Sequence, residues 1–261
     1  MKWSDAINQH VGALRPVTID QMLKMRLVKL LDLTTLNDTD TEASVATFCE
    51  KAETVYGHVA AVCVYPTFVR LVADQFSGST IKTATVVNFP EGADHLDDVV
   101  LQIGHVLQEG AQEVDLVFPY HRYLAGEQQY VQTFISTCKV ACGEDVLLKV
   151  ILETGALSDP AIIADAAYDV LSAGADFVKT STGKIAEGAT LEAVATLLMV
   201  IKHITPQVKR QVGCKVSGGI RSLQQAAQYL QLADRIMGPD WVMSDTFRIG
   251  ASKLIDEIMS R

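Results

Sequence analysis

The sequence predicts an α/β fold, a closed (β/α)8 barrel, and two observations carry that expectation. Short apolar runs rich in β-branched residues alternate eight times with amphipathic stretches. Polar or glycine-rich segments follow nearly every run, whereas the segments leading in, such as Gly110-Ala111-Gln112, are plain. Runs apolar on both faces suit buried parallel strands, and this many alternations suit a sheet closed on itself. A doubly wound open sheet is the alternative. It usually has fewer strands, and no G-x-G-x-x-G follows the first run.

Taken in order, residues 1–27 read as a helical extension, with Ile7, Val11 and Leu14 before Pro16 and Ile19, Met22, Leu23 and Met25 after it. Strands are expected at Val28–Leu33, Val59–Val64, Ile81–Val87, Val114–Phe118, Val146–Leu152, Ala175–Thr180, Val212–Val216 and Ala233–Met237. Helices are expected at Thr39–Thr54, His95–Glu109, Gln128–Cys142, Pro160–Ala173, Leu191–Ile204 and Leu223–Gln231, with a shorter one in Thr67–Ser77. No linker or low-complexity tract divides the 261 residues. Residues 1–261 are therefore expected to form a single barrel domain, since such barrels routinely run to about 250 residues.

Composition narrows the function. Apolar residues make up 49% of the chain and charged residues 20%, which excludes disorder and coiled coil. A net charge of −9 makes a phosphate backbone a poor partner, so no nucleic acid is expected. No apolar run is long enough for a membrane span, and no signal core follows Met1-Lys2-Trp3-Ser4-Asp5. Cys49, Cys63, Cys138, Cys142 and Cys214 are an odd number in a chain that needs no staples. Free thiols in a reducing cytoplasm are the simplest reading. The six histidines are scattered, with no H-x-H or H-E-x-x-H, so no metal is expected. A carboxylate-only magnesium site from Asp32, Asp115 and Glu153 would face lysines competing for the same oxygens.

Those lysines are the unusual feature. Lys149, Lys179 and Lys215 interrupt consecutive apolar strands, five, six and seven. Desolvating an ammonium costs several kcal/mol unless it is paired. One such lysine could snorkel from a strand end; three at similar depth argue against that. Carboxylates join them: Asp32 on strand one, Asp115 on strand four, Glu153 at the end of strand five. They suit a static ion pair or a proton relay equally. An amine attacks a carbonyl only when unprotonated, and burial beside a second cation lowers its pKa. Lysines on adjacent strands thus suit a Schiff-base nucleophile with a cationic activator. Lys179 precedes the polar Thr180-Ser181-Thr182-Gly183-Lys184, which puts it at the mouth, but periodicity leaves the order of Lys179 and Lys215 open.

An anion has a place as well. Barrels often bind phosphate with the loops after strands seven and eight. Ser217-Gly218-Gly219 follows strand seven, Ile249-Gly250-Ala251-Ser252 reads as a helix start after strand eight, and Gly183-Lys184 adds a cation from strand six.

The chain resembles deoxyribose-phosphate aldolase, a class I aldolase on a TIM barrel, from about Leu30 to Leu254. The carrying motifs are Asp32-Leu33-Thr34-Thr35-Leu36-Asn37, Val62-Cys63-Val64-Tyr65-Pro66, Val87-Asn88-Phe89-Pro90-Glu91-Gly92, Glu113 to Tyr120, Leu148 to Gly155, Phe177 to Lys184 and Lys215 to Arg221. The resemblance implies reversible cleavage of 2-deoxy-D-ribose 5-phosphate to acetaldehyde and glyceraldehyde 3-phosphate, without a cofactor. It puts the Schiff base on Lys179, the activating lysine on Lys215, and the proton relay on Asp115 with Lys149. Substrate contacts fall on Asp32, Thr34, Cys63 and Thr182, and phosphate contacts on Gly183, Lys184, Gly218, Gly219 and Ser252. Another class I aldolase or transaldolase acting on a different sugar phosphate is the alternative. The resemblance also implies a homodimer. Two departures stand out. Some longer members close with a tyrosine that aids proton transfer, whereas this sequence ends Ile258-Met259-Ser260-Arg261; and Lys253 stands where relatives often have a second serine. Cys63, expected beside the mouth, is a site for slow alkylation by the enal formed from acetaldehyde.

Overall fold

The structure, a computed structural model, describes residues 3–260. Met1, Lys2 and Arg261, assigned from sequence to the same domain, lie outside the described residues.

Eight parallel strands close into a barrel: β1 (Leu31–Thr34), β2 (Ala61–Val64), β3 (Lys82–Val87), β4 (Glu113–Val117), β5 (Leu147–Ile151), β6 (Phe177–Lys179), β7 (Gly213–Ser217) and β8 (Phe247–Ala251). Each pairs with the next in sequence, and β8 returns to β1, with Asp32 opposite Gly250. Helices surround them: α1 (Trp3–Gly12), α2 (Gln21–Lys29), α3 (Glu42–Cys49), α4 (Val69–Gln75), α5 (Leu96–Gln108), α6 (Tyr120–Leu124), α7 (Gln128–Cys142), α8 (Thr154–Leu157), α9 (Pro160–Ser172), α10 (Leu191–Val208), α11 (Leu223–Met237) and α12 (Leu254–Met259). The barrel is the TIM (β/α)8 fold.

Strand faces explain the core. On β5, Leu148 and Val150 are buried on the face toward the helices, where α7 supplies Val131, Phe134, Ile135 and Cys138 and α9 supplies Ile163, Ala167 and Val170. α1 packs against α10 and α11, and α2 against α11 and α12, so the N-terminal extension joins the outer helical layer. No helix among the described residues is long and apolar enough to cross a membrane.

Four local expectations are corrected. Ala233–Met237 is not strand eight but the end of α11, which Ser222 caps by accepting from the Gln225 N–H. Its Ala233 and Ile236 continue the buried stripe of Ala226, Tyr229 and Leu230, so the apolar run is the last stretch of an amphipathic helix. The true strand eight, Phe247–Ala251, takes in Ile249-Gly250-Ala251, which was read as a helix start. Val28 belongs to α2, which Asp20 caps at the Leu23 N–H, and β1 begins only at Leu31. The helix expected over Thr39–Thr54 stops at Cys49; Glu53–Thr54 then pairs antiparallel with Gly57–His58.

Candidate active site

Register brings the charged strand residues into one layer. Lys179 on β6 lies opposite Lys215 on β7, and Lys215 lies opposite Arg248 on β8. Asp115 on β4 lies opposite Lys149 on β5. Because side chains at paired positions share a face, these groups all turn inward. The interior of a TIM barrel is ordinarily filled by branched apolar residues. Here one layer is ionic.

The contacts are dense. Asp115 Oδ2 accepts from Lys179 Nζ at 2.7 Å and from Lys215 Nζ at 2.7 Å. Its other oxygen accepts from Lys149 Nζ at 3.0 Å. Lys149 also reaches Glu113 Oε2 at 2.6 Å. Lys215 reaches Asp32 Oδ2 at 2.5 Å. Arg248 Nη1 donates to Asp32 Oδ1 at 2.6 Å, and its Nη2 to Glu113 Oε1 at 2.8 Å. All seven side chains are buried.

The balance of charge decides which group gives up a proton. Four cations, Lys149, Lys179, Lys215 and Arg248, meet three carboxylates, Asp32, Glu113 and Asp115. Fully protonated, the network carries one net positive charge away from water, which is costly. Burial lowers Lys179 below the ordinary lysine range, and the charge of Lys215 acts in the same direction against the pull of Asp115. Burial also disfavours the charged form of Lys215, but Asp115 and Asp32 overcome it and hold Lys215 above that range. The opposed directions set the two lysines apart: Lys179 is the more readily deprotonated of the pair, and Lys215 the more firmly cationic. Asp115 is held well below the carboxylate range, because its three lysines outweigh the penalty of burial.

Lys179 is the member of this network that opens on a cavity. The cavity, about 270 Å³, is lined by Thr34, Lys179, Thr182, Gly183, Lys184, Ser217 to Arg221 and Gly250 to Ser252, among others. Thr34, Thr182, Gly183, Lys184, Gly218, Gly219 and Ser252, all singled out from sequence, thus line one cavity with Lys179. Gly218 has φ +92°, and a Cβ there would sit 3.0 Å from both Gly188 Cα and Ser181 Cβ. Only glycine fits that turn, and it leaves backbone exposed to a ligand. Lys184 Nζ donates to Leu36 O at 2.8 Å across the mouth.

Asp32 and Cys63 lie elsewhere: both are fully buried, and neither lines the cavity. Asp32 is occupied by Lys215 and Arg248. Cys63 packs inside the barrel with Ala61, Ala84 and Val86, and burial pushes its thiol above the ordinary range. Lys253 is exposed, outside the cavity lining. Sequence reasoning missed Arg248 and the pairing role of Glu113. The signal for Arg248 was available, a charge inside Phe247-Arg248-Ile249, but the strand had been placed elsewhere.

Fold and site together define a barrel aldolase with a buried lysine opening on its cavity. Residues 26–239 match the model of the DeoC/LacD family aldolases, and the chain belongs to that family. Its activity is that of an aldolase, a lyase. Solved structures agree. A Toxoplasma gondii ME49 protein described as a deoxyribose-phosphate aldolase is 27% identical with a TM-score of 0.82, over 91% of this chain and 92% of that one. A Coccidioides immitis protein of the same description is 26% identical with a TM-score of 0.78, over 98% and 96%. The deoxyribose phosphate aldolase of Aeropyrum pernix, described as tetrameric, is 26% identical with a TM-score of 0.74, over 98% of each chain.

Proposed function

We propose that this chain is a class I aldolase that reversibly cleaves 2-deoxy-D-ribose 5-phosphate into acetaldehyde and D-glyceraldehyde 3-phosphate. The observation that carries the reading is Lys179 at the floor of the cavity, sharing Asp115 Oδ2 with a second lysine that keeps its charge.

The chemistry follows from the geometry. Neutral Lys179 attacks C1 of the open-chain sugar, and loss of water gives an iminium. Lys215 stays protonated and keeps the neighbouring amine neutral. Becoming an iminium leaves Lys179 with one N–H in place of the two of the neutral amine, which relieves the crowding at Asp115 Oδ2. Asp115, through water and Lys149, then takes the proton of the C3 hydroxyl while the C2–C3 bond breaks. The electron pair of that bond enters the iminium and gives an enamine. Reprotonation and hydrolysis release acetaldehyde. Asp32 supports the relay through Lys215, and Thr34 and Thr182 face the substrate hydroxyls.

The phosphate sits against Gly183, Gly218, Gly219 and Ser252, with Lys184 as the cation. Binding then requires Lys184 to leave Leu36. We assign a homodimer and a cytoplasmic setting to the chain; light scattering of the purified protein tests the dimer. The reaction is tested by borohydride reduction with acetaldehyde and peptide mass mapping. A gain of roughly 28 Da on the Lys179 peptide is expected. The same gain on Lys215 would reverse the lysine roles, and no adduct from a folded sample would end the class I reading. Release of glyceraldehyde 3-phosphate from the deoxyribose ester, and not from longer sugar phosphates, tests the substrate.

A further inference from the structure

One buried carboxylate beside the nucleophile has no part in the cycle above. Glu153 ends the segment after β5 and is fully buried. Among the described residues it pairs with no cation; its short contact is to a hydroxyl. Thr182 Oγ1 donates to Glu153 Oε2 at 2.5 Å, and the Thr182 N–H points at both carboxylate oxygens at 3.3 Å. Thr182 Oγ1 also accepts from the Lys184 N–H at 3.1 Å, which fixes the hydroxyl from the other side. Thr182 lines the same cavity wall as Lys179. Glu153 adopts a left-handed conformation, φ +51°. A non-glycine residue held there costs on the order of 1–3 kcal/mol, and such residues cluster at functional sites.

The reaction leaves a task for such a pair. Cleavage turns the Lys179 adduct into an enamine, whose terminal carbon must gain a proton before acetaldehyde can leave. Asp115 is a poor donor, because Lys149 and Lys215 hold it ionised. Glu153 differs: burial raises it above the ordinary glutamate value, and the hydrogen bonds from Thr182, followed by the charge of Lys179, only partly reverse this. The groups facing Glu153 are Lys179 on β6, Glu91 from the loop after β3, Tyr120 at the start of α6, and Thr182 itself. The nearby carboxylate of Glu91 acts in the same direction as burial.

We propose that Glu153, acting through the Thr182 hydroxyl, supplies the proton that converts the Lys179 enamine back to an iminium. The inference rests on the Schiff-base reading above. The terminal enamine carbon takes the Thr182 hydroxyl proton, and the nitrogen lone pair re-forms C=N. Thr182 oxygen takes the carboxyl proton of Glu153, leaving a carboxylate. Glu153 recovers a proton from water, and the C3 hydroxyl has released one during cleavage, so the cycle balances. Thr182 is the group that touches the intermediate, and Glu153 is its positioning and supplying partner.

Acetaldehyde in deuterated water tests this without any sugar phosphate. Each iminium–enamine interconversion exchanges a methyl proton, and NMR reads the rate against an enzyme-free control. Borohydride trapping on Lys179 is read in parallel. Glu153→Gln keeps the shape and the acceptor but has no carboxyl proton to give. Its trapping is expected to match wild type while its exchange falls about 100-fold, the range of general acid catalysis. The acid-side limb of the exchange–pH profile is expected to disappear with it. Thr182→Val, the second variant, is expected to lose exchange in the same way, and decides the matter if Glu153→Gln does not fold. Wild-type exchange in a variant that traps normally would overturn the proposal and leave the Schiff base intact. No trapping in the wild-type protein would instead overturn the Schiff-base reading itself.

Discussion

Arg248 and Asp32 are joined across the barrel closure, Nη1 to Oδ1 at 2.6 Å, while Lys215 takes the other oxygen of Asp32 at 2.5 Å. One carboxylate on β1 thereby pairs with two cations, on β7 and β8. Removing the guanidinium leaves Asp32 and Glu113 short of a partner in a sealed interior. Arg248→Met is expected to cost about 3–5 kcal/mol, the usual consequence of breaking a buried pair from one side. Urea denaturation at neutral pH measures it.

The same pair sets the response to acid. Burial alone would raise Asp32, but Lys215, Arg248 and Lys149 reverse this and hold it below the usual carboxylate range. A depressed folded value gives stability that is present above about pH 3.9 and lost as pH falls through the folded value. Arg248→Met raises the folded value of Asp32. Its acid unfolding, followed by circular dichroism, is therefore expected at higher pH than wild type.

Lys215→Met tests the division of labour between the lysines. Wild-type Lys179 is lowered, so its amine becomes reactive below the ordinary lysine value of about 10.4. Removing Lys215 takes away a like charge and leaves Asp115 a stronger pull on Lys179. Both effects raise Lys179. The rate of acetaldehyde trapping against pH is expected to rise later, toward alkaline pH, and to drop by at least tenfold at pH 7. An unmoved profile would assign the lowering to burial alone.

Gly218→Ala separates phosphate binding from chemistry. The added Cβ would press on Gly188 and Ser181, at a φ that L-residues rarely adopt. The KM for the phosphorylated sugar is expected to rise about tenfold or more, a loss of about 1.4 kcal/mol. Trapping of acetaldehyde, which has no phosphate, is expected to continue.

Cys63 gives the last test. Its thiol is fully buried and titrates above the ordinary range, so little thiolate is present at neutral pH. Alkylation by the enal formed from acetaldehyde is expected to be slow, with Cys63→Ala inactivated more slowly still. Equal rates for the two proteins would remove Cys63 from the inactivation.

Much of this was legible in the sequence, for identifiable reasons. Seven strand runs were visible because a barrel strand buried on both faces is apolar throughout. Lys149, Lys179 and Lys215 stood out against that background, and Asp115 with them. The eighth strand was hidden because Phe247-Arg248-Ile249-Gly250-Ala251 carries an arginine and a glycine, while Ala233–Met237 imitates a strand at the end of α11. A short apolar run has no period by which to tell helix from strand. Arg248 was lost with its strand. The hold of Arg248 on Glu113 was out of reach for another reason: it joins inward-facing residues on the non-adjacent strands β8 and β4, and only closure fixes that. The Glu153–Thr182 contact likewise joins two strand ends 29 positions apart.

The ion pair between Asp32 and Arg248 spans 216 positions of sequence, and β1 and β8 meet along that seam. An incompletely assembled chain therefore cannot hold a matched set of charges, because the first and last staves each supply part of it. Reactivity arrives with closure rather than before it. In a chain still short of residue 248, lysines left in water would hold their protons, because burial is the largest cause that lowers Lys179. By the same logic, two halves of this barrel expressed separately would each be silent toward acetaldehyde, and their association could be followed by the return of a reactive amine.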